Sequence, residues 1–250
     1  MVTQAQGTVV VSGAGTGIGR ATAQRLAAGG FGVVAVGRRR EPLEQLSAEL
    51  GPQVDVVAAD VATATGCAAV ADCLAGTGTR CAGLVAAAGG LSPSGSSAGG
   101  LARVRDDWQA SFESNVLTAA LLTEALRGAL ERDGGRVVLL SSVAALRGSG
   151  GGPYGAMKAA LHGLMYDLAR ELGGHGGTAN VVAPGFVPDT EFWAGRLTPE
   201  SRRQRASQTL TGRAGSPAEV ASLIAWLLGP DGGWVTGQVL SPNGGVVLGR

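Results

Sequence analysis

The chain has 250 residues, 45% of them apolar, and its 20 basic and 19 acidic side chains leave a net charge of +1. That length suits a single α/β domain with a large core, and the charge balance argues against nucleic acid or an anionic membrane as partner. The N-terminus lacks the layout of a secretory signal, no apolar run reaches the roughly 18 residues of a membrane span, and Cys67, Cys73 and Cys81 fit neither a C-x-x-C redox pair nor a zinc site; a cytoplasmic protein with reduced thiols and no metal is expected.

Thr8 to Ser12 reads as a first strand, apolar enough to be buried on both faces. Directly after it stands Ser12-Gly13-Ala14-Gly15-Thr16-Gly17-Ile18-Gly19-Arg20, and a helical pattern follows from Ala21. In a chain with 43 glycines a glycine run alone is weak evidence. At a strand-to-helix turn it gains meaning, because the backbone can approach a pyrophosphate whose charge meets free N–H groups and the helix dipole. Gly13, Gly15, Thr16, Gly17, Ile18 and Gly19 are therefore expected to cradle a dinucleotide.

Val33 to Val36 is the second strand, followed by Gly37-Arg38-Arg39-Arg40. A free adenosine ribose usually meets a carboxylate at this point. Here guanidinium groups stand ready to pair with a 2'-phosphate, so NADPH is expected over NADH, with Arg38 the main contact and Arg39 the second. Val54 to Ala58 is the third strand. Asp60 and Val61 follow it, and the Asp60 carboxylate could accept from the adenine amino group, cap a helix beginning near Ala62, or do both.

Gly83 to Ala87 reads as the fourth strand, with Ala88-Gly89 as a second place for close backbone approach. Ser92 to Gly100 is a Gly/Ser-rich surface loop, and substrate specificity is expected in the 92–105 stretch and in a later flap. One long amphipathic helix is expected from Trp108 to Arg132, with Leu117, Leu121, Leu122, Ala125 and Ala129 on one side and Gly134-Gly135 as its stop. Asn115, within it, reads on its own as a solvent-facing residue.

Arg136 to Leu140 is the fifth strand and ends at the pair Ser141-Ser142. A second long helix, Pro153 to Leu172, carries Tyr154-Gly-Ala-Met-Lys158, in which Lys158 is the only lysine of the chain and Tyr154 one of two tyrosines. Positions i and i+4 share a helix face, so an ammonium beside the phenol is expected to lower the Tyr154 pKa from about 10. Ala179 to Ala183 and Gln238 to Leu240 are the sixth and seventh strands. Between them, Pro184-Gly185-Phe186-Val187 is followed by a polar, Arg-rich stretch with Phe192 and Trp193 that reads as a mobile substrate flap near 188–210.

The Gly13-x-x-x-Gly17-x-Gly19 turn, Asp60, Ala88-Gly89, Asn115, Ser142, Tyr154-x-x-x-Lys158 and Pro184-Gly185, in this order and spacing, resemble the short-chain dehydrogenase/reductase family. The resemblance runs from Val9 to Asn243-Gly244-Gly245 and extends, in a general way, to its 3-oxoacyl carrier-protein reductases and polyketide ketoreductases. It implies one Rossmann-like domain, a doubly wound parallel sheet of about seven strands with helices on both faces, and hydride transfer between a nicotinamide and a carbonyl or alcohol. It also implies roles. Tyr154 would be the general acid in reduction, Lys158 would hold the nicotinamide ribose, Ser142 would donate to the substrate oxygen with Ser141 as its rival, and Asn115 would hold a water linking Lys158 to solvent. The backbone of Pro184, Gly185 and Val187 would meet the nicotinamide carboxamide, with Thr190 as a hydroxyl contact.

These implications give an NADPH-dependent reductase of a small-molecule ketone or an acyl thioester, of β-ketoacyl or polyketide-like type, forming a homodimer or homotetramer through the two long helices. An acyl carrier protein, being acidic, would need basic residues at the site's rim, for which Arg132 is suited. The same residues allow an alcohol dehydrogenase running in the oxidative direction. From another class, a dinucleotide-binding regulator without turnover would keep the fold, although it would not need Ser142, Tyr154 and Lys158 together. Three departures from the family pattern stand out: Ala86-Ala87 replaces two asparagines, which puts the bracing of the sheet in doubt; the loop from Ser142 to Tyr154 is one residue short; and Pro188 is extra.

Overall fold

The computed structural model describes residues 6–91, 95–97, 99–150 and 152–249. Strands and helices alternate along the chain: β1 (Thr8–Ser12), α1 (Gly17–Ala28), β2 (Gly32–Gly37), α2 (Arg40–Leu50), β3 (Val54–Ala58), α3 (Ala64–Gly76), β4 (Cys81–Ala86), α4 (Gly100–Phe112), α5 (Thr118–Asp133), β5 (Arg136–Leu140), α6 (Ala144–Arg147), α7 (Tyr154–Gly173), β6 (Thr178–Val182), α8 (Pro199–Ser207), α9 (Pro217–Leu228) and β7 (Val239–Leu240). All seven strands pair in parallel, in the order β3-β2-β1-β4-β5-β6-β7. Strand order reverses between β1 and β4, and the crevice beyond the strand C-termini at such a point is where open α/β sheets take ligands.

Both faces of the sheet are covered, which explains the unbroken apolar strands. Val10, Val34, Leu84, Val137 and Val181 pack with Val70, Leu122, Leu126, Leu161 and Met165 of α3, α5 and α7. Their neighbours Val9, Val11, Val33, Val85 and Val138 pack with Leu26, Leu43, Leu46 and Ile224 of α1, α2 and α9. Successive side chains point to opposite faces, so the inner strands β1, β4 and β6 are buried throughout and no polar alternation survives there, whereas the edge strand β3 leaves Asp55 exposed.

Two expectations change. The single helix from Trp108 to Arg132 begins earlier, at Gly100, and is interrupted by a π-helical turn at Glu113–Leu117 between α4 and α5. The 92–105 stretch is therefore helical from Gly100 onward, while Ser92, Pro93, Ser94 and Ala98 lie outside the described residues. The flap contains a 3₁₀ turn at Glu191–Trp193 and α8, which starts with a capping box between Thr198 and Ser201. Among the described residues no helix is long and apolar enough to cross a membrane. Cys67 and Cys81 are buried and Cys73 half-buried as free thiols, and burial pushes Cys81 up to about 11.

Candidate active site

A cleft of about 1550 Å³ opens along the C-terminal edge of the sheet. That exceeds the 300–1,000 Å³ usual for one small ligand, and leaves room for a dinucleotide together with a second molecule. Every expected cofactor contact lines it, from Arg38, Arg39, Asp60 and Val61 through Gly13 to Gly19 and Ala88-Gly89 to Pro184, Gly185, Val187 and Thr190. Ser142, Tyr154 and Lys158 line its other end, whereas Asn115 lies behind the wall.

The glycine turn is shaped by close approach. Gly13 has φ +69°, and a Cβ on Gly19 would overlap the Gly13 carbonyl oxygen, so a side chain at either position forces the turn apart. Thr16, extended at the N-cap of α1, makes no side-chain cap bond, and the helix N-terminus faces the cleft with its dipole. These residues fit the pyrophosphate of a dinucleotide. Arg38 and Arg39 both precede α2, which starts at Arg40; Arg38 makes no ion pair among the described residues. Arg39 does, with Glu191 of the flap at 2.6 Å. The run Arg38-Arg39-Arg40 directly after β2 holds no carboxylate, yet the fold brings one to it from far along the chain.

Asp60 does not cap α3. Its Oδ1 accepts from the Ala62 N–H at 3.0 Å and closes a turn, while Thr63 is the N-cap and accepts from Gly66 N–H at 3.1 Å. The helix therefore begins two residues later than expected, at Ala64.

At the end of β5 the two serines separate by function of position. Ser141 is buried; its hydroxyl donates to the Lys158 carbonyl at 2.8 Å and meets His162 Nε2 at 3.1 Å. Ser142 faces the cleft, accepts from the Ala144 N–H and hydrogen-bonds with Tyr154. Both serines line the cleft, but the Ser141 hydroxyl is committed to Lys158 O and His162. Lys158 is only 4% exposed, its Nζ donating to the Leu140 carbonyl at 2.9 Å and standing 5.9 Å from the Tyr154 ring centre. Burial pulls the lysine down to about 8. Burial also pushes the Tyr154 phenol up, opposed by its bond with Ser142. The expected fall in the tyrosine pKa is reversed in the protein alone, because desolvation disfavours both charged forms.

Asn115 is buried rather than solvent-facing. Its Oδ1 accepts from Gly90 N–H, and its Nδ2 donates to Gly90 O, Ser111 O and Ser114 Oγ, all between 2.9 and 3.0 Å. The π-helical turn carries the amide to this place; such turns concentrate at functional sites. A Cβ on Gly89 would lie 2.7 Å from Asn115 Oδ1 and 3.2 Å from Lys158 Nζ, so the amide braces the cleft wall directly behind the lysine.

The outer wall is aromatic. Phe192 tilts against Tyr154 with ring centres 5.4 Å apart, Trp193 packs edge-on against Phe186 and Phe192, and Arg205 stacks 4.7 Å over Trp193.

The profile described as Enoyl-(Acyl carrier protein) reductase matches residues 13–247. The chain belongs to the short-chain dehydrogenase/reductase family. Among its relatives, the short-chain reductase protein NovJ of Streptomyces niveus is 33% identical over 94% of this chain and 92% of its own length. The 3-oxoacyl-[acyl-carrier-protein] reductase FabG of Escherichia coli is 31% identical over 96% of both. A crystal structure of actinorhodin polyketide ketoreductase with NADPH superposes with a TM-score of 0.87 at 28% identity, covering 98% of this chain and 99% of that one.

One departure from the short-chain dehydrogenase/reductase pattern finds a physical answer. Where Ala86-Ala87 lack amide side chains, the Ser12 hydroxyl at the end of β1 accepts from both Ala87 and Ala88 N–H at 3.1 Å. The brace comes from the neighbouring strand. Arg132, by contrast, cannot serve the rim of its own site. It sits at the end of α5 where the strands begin, paired with Asp133, whose carboxylate also accepts from Cys81 N–H at the start of β4. Besides Arg38 and Arg39, the arginines that do line the cleft are Arg147, Arg196 and Arg205.

Proposed function

We propose that this oxidoreductase reduces a ketone to a secondary alcohol with NADPH, acting on a β-ketoacyl or polyketide-like substrate. The observation that carries the reading is the single cleft that joins Ser142, Tyr154 and Lys158 to the phosphate turn and to Arg38. A bound nicotinamide dinucleotide supplies the hydride. Tyr154 donates its phenolic proton to the carbonyl oxygen, and the raised pKa keeps that proton in place near neutral pH. Ser142 donates a hydrogen bond to the same oxygen as charge develops there. Lys158 holds the ribose end with a compact amine and restores the tyrosine proton; Asn115 positions the wall behind it. Phe192 and Trp193 offer an apolar surface to the body of the substrate, and the flap excludes water around it.

The similarity to FabG and to actinorhodin polyketide ketoreductase supports ketone reduction, the NADPH bound to that ketoreductase supports the cofactor, and the name of FabG supports an acyl carrier protein as the carrier of the substrate. A homo-oligomer through α5 and α7 belongs to the same reading, with Tyr166 a large side chain that α7 exposes; a monomeric mass by light scattering removes it. The cofactor claim has its own test. Arg38→Asp is expected to lower kcat/KM for NADPH by about 10- to 100-fold, the scale of a lost charge-assisted phosphate contact of 1.5–3 kcal/mol, with little loss for NADH. Equal use of both cofactors by the unaltered enzyme, or an unchanged preference in the variant, overturns it.

A further inference from the structure

Glu191 is 152 residues from Arg39 in sequence, yet both its carboxylate oxygens accept from Arg39 Nη2, at 2.8 and 2.6 Å. One of them also accepts from Thr16 Oγ1 at 3.4 Å. The preceding residue holds this part of the flap against the phosphate turn, since a Cβ on Gly17 would lie 3.2 Å from Thr190 Cγ2. Glu191, Arg39, Arg38 and Thr16 all line the same cleft. One carboxylate therefore reaches both places where a 2'-phosphorylated dinucleotide carries negative charge: the glycine turn and the arginines after β2.

A phosphate dianion and this carboxylate compete for the same guanidinium. The pair is exposed, with 62% and 54% of the two side chains accessible, so an incoming phosphate can displace it. Arg38, beside it, is not committed to any carboxylate among the described residues. We infer that Glu191 is a specificity-determining residue for the cofactor: by occupying Arg39 from the flap, it sets how strongly the protein prefers a 2'-phosphorylated over an unphosphorylated dinucleotide. The inference rests on the proposed reading of Arg38 and Arg39 as contacts to the ribose end.

Calorimetric binding of adenosine 2',5'-bisphosphate and adenosine 5'-monophosphate to the whole protein tests this without turnover. Glu191→Gln is expected to raise the affinity ratio of bisphosphate to monophosphate about fivefold, the scale of one exposed charge contact. In an Arg39→Ala background the same substitution is expected to change the ratio less than twofold. A ratio that Glu191→Gln leaves unmoved, while the unaltered protein prefers the bisphosphate, overturns the inference alone. An equal rise with Arg39 absent also overturns it, since the carboxylate then acts through the general field of the cleft. If the unaltered protein and Glu191→Gln both bind the two nucleotides equally, the NADPH reading itself falls.

Discussion

Tyr154→Phe is expected to lower the rate of ketone reduction by about 10³-fold, within the 10²–10⁴ range of a general acid, while the Kd for NADPH stays within about threefold. The substitution removes one oxygen and keeps the ring. Tyr154 packs against Phe192 with centres 5.4 Å apart, a contact that phenylalanine retains, so the aromatic wall and the fold should survive. What is lost is the proposed proton donor beside Ser142. Burial has already raised the phenol above its ordinary pKa, which suits a group that must arrive protonated and release its proton only to a developing alkoxide. Single-turnover NADPH oxidation, with cofactor binding followed separately by fluorescence, makes the measurement. Undiminished turnover would take Tyr154 out of the mechanism, and a comparable loss of NADPH affinity would show that the phenol serves binding. The same experiment separates enzyme from regulator, because a dinucleotide sensor has no turnover for the variant to lose.

The parts of this site that were legible in the sequence are those built by local rules. A glycine turn between strand and helix, two serines at a strand end and an i,i+4 pair on a helix each sit within about one helical turn of chain. The strands were legible because burial on both faces writes them as continuous β-branched runs, as in Val9-Val10-Val11 and Val137-Val138-Leu139. The non-local contacts left no such mark. Nothing near Arg39 announces Glu191, and nothing near Ala87 announces that the Ser12 hydroxyl will brace it. The π-helical turn at Glu113–Leu117 has no periodicity of its own against the surrounding helix, so Asn115 read as exposed when it is buried. Arg132 misled for a topological reason: α5 runs from the cleft back to the edge where β5 begins, carrying its C-terminal end away from the site. The sign of the Tyr154 shift failed because sequence shows a neighbouring charge but not the depth at which both groups lie.

That depth also makes Lys158 costly to the fold. Its pKa drops from 10.5 to about 8 through desolvation, worth about 3 kcal/mol at 1.36 kcal/mol per pKa unit. The sign follows from proton linkage. Below pH 8 the lysine is charged in both states and the full penalty falls on the folded one; between about 8 and 10.5 the unfolded chain holds more protons, so stability rises with pH until both forms are neutral. Lys158→Met, which fills similar space without charge, is expected to stabilise the protein at pH 7 by about 1–3 kcal/mol. The lower end allows for the lost hydrogen bond to the Leu140 carbonyl. The advantage should shrink on going from pH 7 to pH 10 in equilibrium urea unfolding. Turnover should nevertheless disappear, and Lys158→Arg should weaken both NADPH binding and turnover, since a planar guanidinium cannot enter the space that Gly89 and Asn115 leave for a compact amine. A Lys158→Met protein less stable than its parent at pH 7, or an advantage independent of pH, would show that the buried ammonium is not held against its desolvation cost. Loss of turnover in Lys158→Arg with NADPH affinity intact would remove the ribose-holding role and leave the lysine acting on Tyr154 alone.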